Sequence, residues 1–162
     1  MKILTKNNKN LYNISRFFYR YEGGKEMIEK QFPNYANRIA VGLVGEGSDC
    51  FGFDDEISSD HDYAPGFCMW LTEKDYVNIG AELQAAYEKL ASTDGRLGYR
   101  RGVFSINQFY QGHLEISHNF EKNPVIDLEK IPEHLLAVAT NGEVFEDQLG
   151  MFSYIRKNIL EY

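Results

Sequence analysis

Asp60 and Asp62 stand two residues apart in the run GEGSDCFGFDDEISSDHDY, Gly45 to Tyr63, downstream of Gly47-Ser48. Side chains of an extended strand alternate faces, so the two aspartates would point one way and His61 the other. Carboxylates held side by side repel unless a cation or a proton lies between them. A divalent ion resolves that repulsion, and Mg²⁺ (or Mn²⁺) is held through one or two carboxylates together with substrate phosphates. Glycine at 47 lets backbone N–H groups approach a phosphate closely, and the Ser48 hydroxyl adds a donor. The pattern is thus a phosphate-and-metal cradle, with Gly47 and Ser48 on the phosphates and Asp60 and Asp62 on the cation. Phosphoryl and nucleotidyl transfer consist largely of such positioning and charge neutralisation.

Blander readings compete with this one. An isolated Asp-x-Asp is usually a solvated acidic turn, here close to Asp54-Asp55-Glu56. An EF-hand would need a central glycine and a terminal glutamate at offsets this loop does not supply. His61-Asp62 suggests a metal-dependent phosphohydrolase, but such sites draw further ligands from helices, and His113 and His118 have no diagnostic spacing. Arg96, Arg100 and Arg101 form a compact basic cluster, either a solvated loop or a clamp in which Arg100 and Arg101 hold a triphosphate. Cys50 reads as a small buried residue, and Tyr63 and Trp70 as core or wall.

The elements that must position these residues follow from hydrophobic spacing. Leu11 to Tyr21 has helical spacing, Gly23-Gly24 interrupts it, and Lys25 to Phe32 is a second helical piece stopped by Pro33. Arg38 to Val44 is a short apolar run, hence a buried strand. Gly45 to Ser59 is a loop. Asp60 to Leu71 reads as a second strand, kinked at Pro65-Gly66. Thr72 and Asp75 make a capping pair for a helix from Glu73 to about Ser92. Val103 to Phe109 is a third strand, with Ser105 and Asn107 on its polar face. Glu121 to Glu129 is a loop, Ile131-Pro132-Glu133 opens a helix to Thr140, and helical spacing resumes from Glu143 to the end. This predicts an α/β (α+β) fold, a mixed sheet flanked by helices. It is read as one domain over 1–162, with an N-terminal helical piece (1–35), a core (36–130) and C-terminal helices (131–162).

Composition narrows the class. The chain has 162 residues, 43% hydrophobic and 25% charged, as in an ordinary globular domain. Lys plus Arg is 17 and Asp plus Glu 24, a formal charge of −7 that argues against a broad nucleic-acid surface. A small nucleotide remains compatible. Two cysteines without framework spacing, a polar start and no long apolar run predict a cytoplasmic protein without a membrane span.

Strand, Gly-Ser, a spacer, then Ser-Asp-x-Asp resembles the DNA polymerase beta-like nucleotidyltransferase superfamily. This chain matches it at Gly47, Ser48, Ser59, Asp60 and Asp62, with Gly52 in the intervening segment. Residues 42–67, GLVGEGSDCFGFDDEISSDHDYAPGF, also resemble the hallmark of a group of uncharacterised bacterial proteins, close to GLVGEGSECFGFDDEISRDHDWGPGF. Pro132 to Arg156 is similar to a later block of that group. The resemblance implies a magnesium–nucleoside triphosphate as ligand and a small-molecule or protein acceptor. It also implies a further helical domain beyond Tyr162, so that the C-terminal helices pack on that domain or on another subunit. One departure stands out: the third carboxylate of active members, metal ligand or general base, has no counterpart on Val103 to Phe109. Glu115 or Asp127 would have to supply it from a loop. The alternative is a catalytically silent nucleotide-sensing or protein-interaction domain, or one half of a toxin–antitoxin pair.

Overall fold

The apolar run before Gly45 becomes strand β1, Ala40–Val44, in the computed structural model, which describes residues 23–45, 66–91 and 101–162. All of its residues are buried because helices cover both faces of the strand, which is why the run is continuous rather than alternating. Helix α1, over 23–31, precedes it and ends where Pro33 withholds an N–H. There follow β2 (Cys68–Leu71), α2 (Glu73–Ala91), β3 (Gly102–Ser105), α3 (Ile106–Leu114), α4 (Glu133–Thr140), β4 (Gly142–Glu146) and α5 (Met151–Leu160). Among the described residues this is an α+β fold, a mixed four-stranded sheet with five helices, in strand order β3-β2-β1-β4. β1 runs antiparallel to β2 and β4, while β2 and β3 are parallel across α2.

The two-residue period of the strands sorts side chains into two cores. Ala40, Val44, Cys68 and Trp70 face one core with Phe109 and Tyr110 of α3, Ala139 of α4, and Phe152 and Ile155 of α5. Val41, Met69, Leu71 and Val103 face the other, met by Met27 and Ile28 of α1 and by Ile79, Leu83 and Tyr87 of α2. Trp70 stacks on Phe152 at 3.8 Å between centroids and meets Phe109 edge-on at 5.4 Å. Such contacts add to the burial of large rings and lock the α3–α5 layer to the sheet.

Two expected elements change type. The third strand stops at Ser105, and Ile106 begins α3. Ser105 Oγ accepts the Gln108 N–H at 3.1 Å as an N-cap, and its hydroxyl donates to Glu73 Oε1 at 2.7 Å. Asn107 is consequently a buried helical residue. Its Oδ1 accepts the Phe120 N–H at 2.7 Å and its Nδ2 donates to Asn119 Oδ1 at 3.3 Å, organising the next loop. The second change follows the Asn141-Gly142 break: Glu143 to Glu146, expected to be helical, belongs to β4 against β1. Val144 packs on one core and Phe145 on the other, while the register slips by one residue across Val41/Gly42.

The Thr72–Asp75 cap is half as expected. Asp75 N–H donates to Thr72 Oγ1 at 3.2 Å, but the Asp75 carboxylate accepts Arg38 Nε at 2.7 Å. Glu121, from a distant loop, accepts a further first-turn donor, the Glu73 N–H, at 2.7 Å. Helix α5 starts differently: Asp147 accepts the Gly150 and Ser153 N–H groups at 2.9 and 2.8 Å. The helical spacing at 11–21 lies outside the described residues. Among the described residues no helix is long and apolar enough to cross a membrane.

Candidate functional site

Strand directions collect four chain ends along one edge of the sheet. Because β2 and β4 run against β1, and β3 runs with β2, the end of β1 lies beside the starts of the other three strands. Gly45, Gly66-Phe67, Arg101-Gly102 and Asn141-Gly142 line this edge. Gly45 N–H donates to Asn141 O at 3.1 Å, and Gly102 N–H donates to Phe67 O at 3.0 Å. Gly45 has φ 120° and Gly142 has φ 108°, a region that side chains rarely enter. At 142 a Cβ would also run into the Leu43 carbonyl oxygen, so this turn is closed to any larger residue.

His113, in the last turn of α3, reaches this edge. Its Nδ1 lies 2.8 Å from Phe109 O, and a carbonyl only accepts, so Nδ1 carries the hydrogen. The ring also lies over Phe109 at 4.2 Å between centroids. These two contacts turn Nε2 toward Gly45, where a Cβ would sit 3.0 Å from it. Asn141 approaches the same glycine through its carbonyl, and among the described residues its buried side-chain Nδ2 has no hydrogen-bond partner. Arg101 is buried, with 2% of its surface exposed, and is partnered, so a freely solvated loop does not describe it.

Most of the sequence-predicted site falls outside the described residues: Gly47, Ser48, Asp60, Asp62 and Arg100, and with them Cys50, Asp54, Asp55, His61, Tyr63 and Arg96. Of the described ones, Arg101 stands on the glycine-lined edge and Trp70 is core. Ser105 and Asn107 are committed to the start of α3. Glu115 is the exposed, left-handed C-cap of α3, two residues beyond His113. Asp127 Oδ1 accepts the Glu129 N–H at 3.0 Å in an exposed turn. His118 Nε2 is bonded to Asn123 O at 2.7 Å. Among the described residues no group of three or more His, Cys, Asp and Glu is placed to hold a metal ion. Sequence reasoning found no role for Asn141 beyond breaking a helix, and no local signal ties it or His113 to Gly45.

Comparison of the chain with protein-family models, with curated proteins and with solved structures gives no match.

Proposed function

We propose that the protein binds a magnesium–nucleoside triphosphate and transfers its nucleotidyl group to a small-molecule or protein acceptor. Gly47 and Ser48 hold phosphates, Arg100 and Arg101 add positive charge, and Asp60 and Asp62 are the carboxylates for Mg²⁺ or Mn²⁺. Two carboxylates two residues apart suit a hard cation, which would neutralise phosphate charge when bound. The acceptor hydroxyl attacks the α-phosphorus in line and gives up its proton to solvent, a new P–O bond forms, and the bond to the departing pyrophosphate breaks.

The observation that carries this reading is the single sheet edge. Gly47 follows Gly45 by two residues, Asp62 precedes Gly66 by four, and Arg100 precedes Gly102 by two. The described ends from which those stretches leave, Gly45, Gly66 and Arg101, lie together at that edge. Buried Arg101 stands on it already. A second reading, a silent nucleotide sensor, draws on β3: it carries no acid, and Ser105 and Asn107 serve the α3 junction.

Calorimetry with ATP and Mg²⁺ tests the site. Asp60→Asn and Asp62→Asn should each weaken Mg²⁺-dependent binding by at least about tenfold; unchanged affinity removes the metal assignment. In the same titration Arg100→Ala should bind more weakly, and an unaltered constant returns Arg100 to the solvated loop. Labelled triphosphates incubated with cell extract separate enzyme from sensor, since a sensor yields neither adduct nor pyrophosphate.

A further inference from the structure

We propose that a cavity between α1 and the β1–β4 pair binds a small zwitterion, an α-amino acid with a short branched aliphatic side chain. Antiparallel pairing sets the start of β1 beside the end of β4, so the cavity lies at the opposite end of the sheet from the glycine-lined edge. Its volume is about 180 Å³. Drug-sized ligands fill about 300–1,000 Å³, so a shorter molecule suits this one. The floor is apolar, formed by the buried Ile28 of α1 with Ile39 and Val41. The rim carries both charges, Lys25 and Glu29 on the α1 side and Glu146 on the β4 side.

The register slip is what brings Glu146 there. Val144 packs on the α3–α5 core, and strict alternation would send Glu146 the same way. Instead Phe145 is the extra residue of a bulge, and Glu146 pairs with Val41 and shares its face. Gln148 Nε2 donates to Glu146 Oε1 at 3.1 Å, which steadies the carboxylate. A carboxylate offers about four acceptor positions, so this bond leaves it room for a ligand. Lys25 and Glu29 are four residues apart on α1, yet among the described residues they form no ion pair. On the neighbouring stripe of the helix Lys30 and Glu26 do, at 2.6 Å. Opposite charges left apart above an apolar floor match a ligand whose own two charges flank one carbon. Its ammonium donates to Glu29 and Glu146, its carboxylate accepts from Lys25 Nζ, and its side chain covers Ile28, Ile39 and Val41. A plain amine would meet the like charge of Lys25, and a plain carboxylate would meet two acids.

Calorimetry on the full chain tests this with L-leucine, isopentylamine and 4-methylpentanoate. No nucleotide is present, so the outcome is independent of the nucleotide reading. Leucine should bind, and each single-charge probe should bind at least about tenfold more weakly. Glu146→Gln removes a charge while keeping an oxygen for Gln148, and Lys25→Gln removes the cation. Each should weaken leucine about tenfold with the thermal unfolding midpoint unmoved. Lys25→Gln should leave isopentylamine no weaker, a split that a general loss of structure would not produce. Absence of leucine binding overturns the proposal, and so does a leucine affinity that both variants retain. A single-charge probe that matches leucine overturns the zwitterion assignment.

Discussion

Tyr110 donates its phenolic hydrogen to Phe152 O at 3.0 Å from a position with no exposed surface. Burial pushes its pKa well above the usual tyrosine value, with Asp147 adding to the rise and Arg156 opposing it. A pKa raised in the folded chain means that the stability the group contributes is complete below about pH 10 and is lost as pH climbs past it. Tyr110→Phe should lose about 1 kcal/mol at neutral pH, because the Phe152 carbonyl is left without its donor. The same variant should lose less further stability than the parent between about pH 9 and pH 11. Urea titrations at both pH values check this, and parallel declines would show that Tyr110 is not the titrating group. Single residues of this kind were only partly legible. The apolar spacing marked Trp70 and its neighbours as buried, but nothing local paired a tyrosine with a carbonyl in α5.

At the scale of elements, junctions rather than interiors carry the surprises. Ser105 turns β3 into α3 by accepting Gln108 N–H while donating to Glu73, which itself receives its cap from Glu121. Two helix starts on opposite faces of the sheet are thereby joined through one hydroxyl. Ser105→Ala should destabilise the fold by about 1–2 kcal/mol, the range of a lost N-cap, by chemical denaturation. A change within a few tenths would mean that packing of Ile106 and Phe109 alone places the junction. Arg156 works similarly at the other side. Its guanidinium donates to Thr140 O at 2.9 Å and Gly142 O at 2.8 Å, holding the end of α4 and the start of β4 against α5. Helices α2 and α4 were legible because their spacing, caps and Gly or Pro stops are local. Strand β4 was not, since Gly142–Glu146 is only partly buried and takes its strand form from the open edge of β1.

Across the whole molecule, one sheet separates two cores, and β1 and β2 contribute side chains to both. Neither helical layer can leave without exposing strands that the other layer also needs, so the layers should unfold together. Trp70 is the single tryptophan and lies wholly buried on the α3–α5 face. Its fluorescence and the far-UV circular dichroism should therefore trace one coincident transition in urea. Separate midpoints would mean that the α3–α5 layer detaches as its own unit. The same sheet has a consequence for the candidate site. It draws Gly45, Gly66, Arg101 and Asn141 to one edge although they are scattered along the chain.

The sequence by itself determined the α+β class, the doubly buried β1, the positions of α2 and α4, and the Gly-Ser and Asp-x-Asp spacing that motivates the nucleotide reading. These are short-range properties, written in periodicity and in residues next to one another. Only the tertiary structure decided that a predicted strand end becomes α3 and that a predicted helix becomes β4. It also decided that His113 and Asn141 meet at Gly45. Each outcome depends on a hydrogen-bonding group finding its partner many residues away. Which distant partner completes such a group depends on strand order and direction, and no window of sequence contains them.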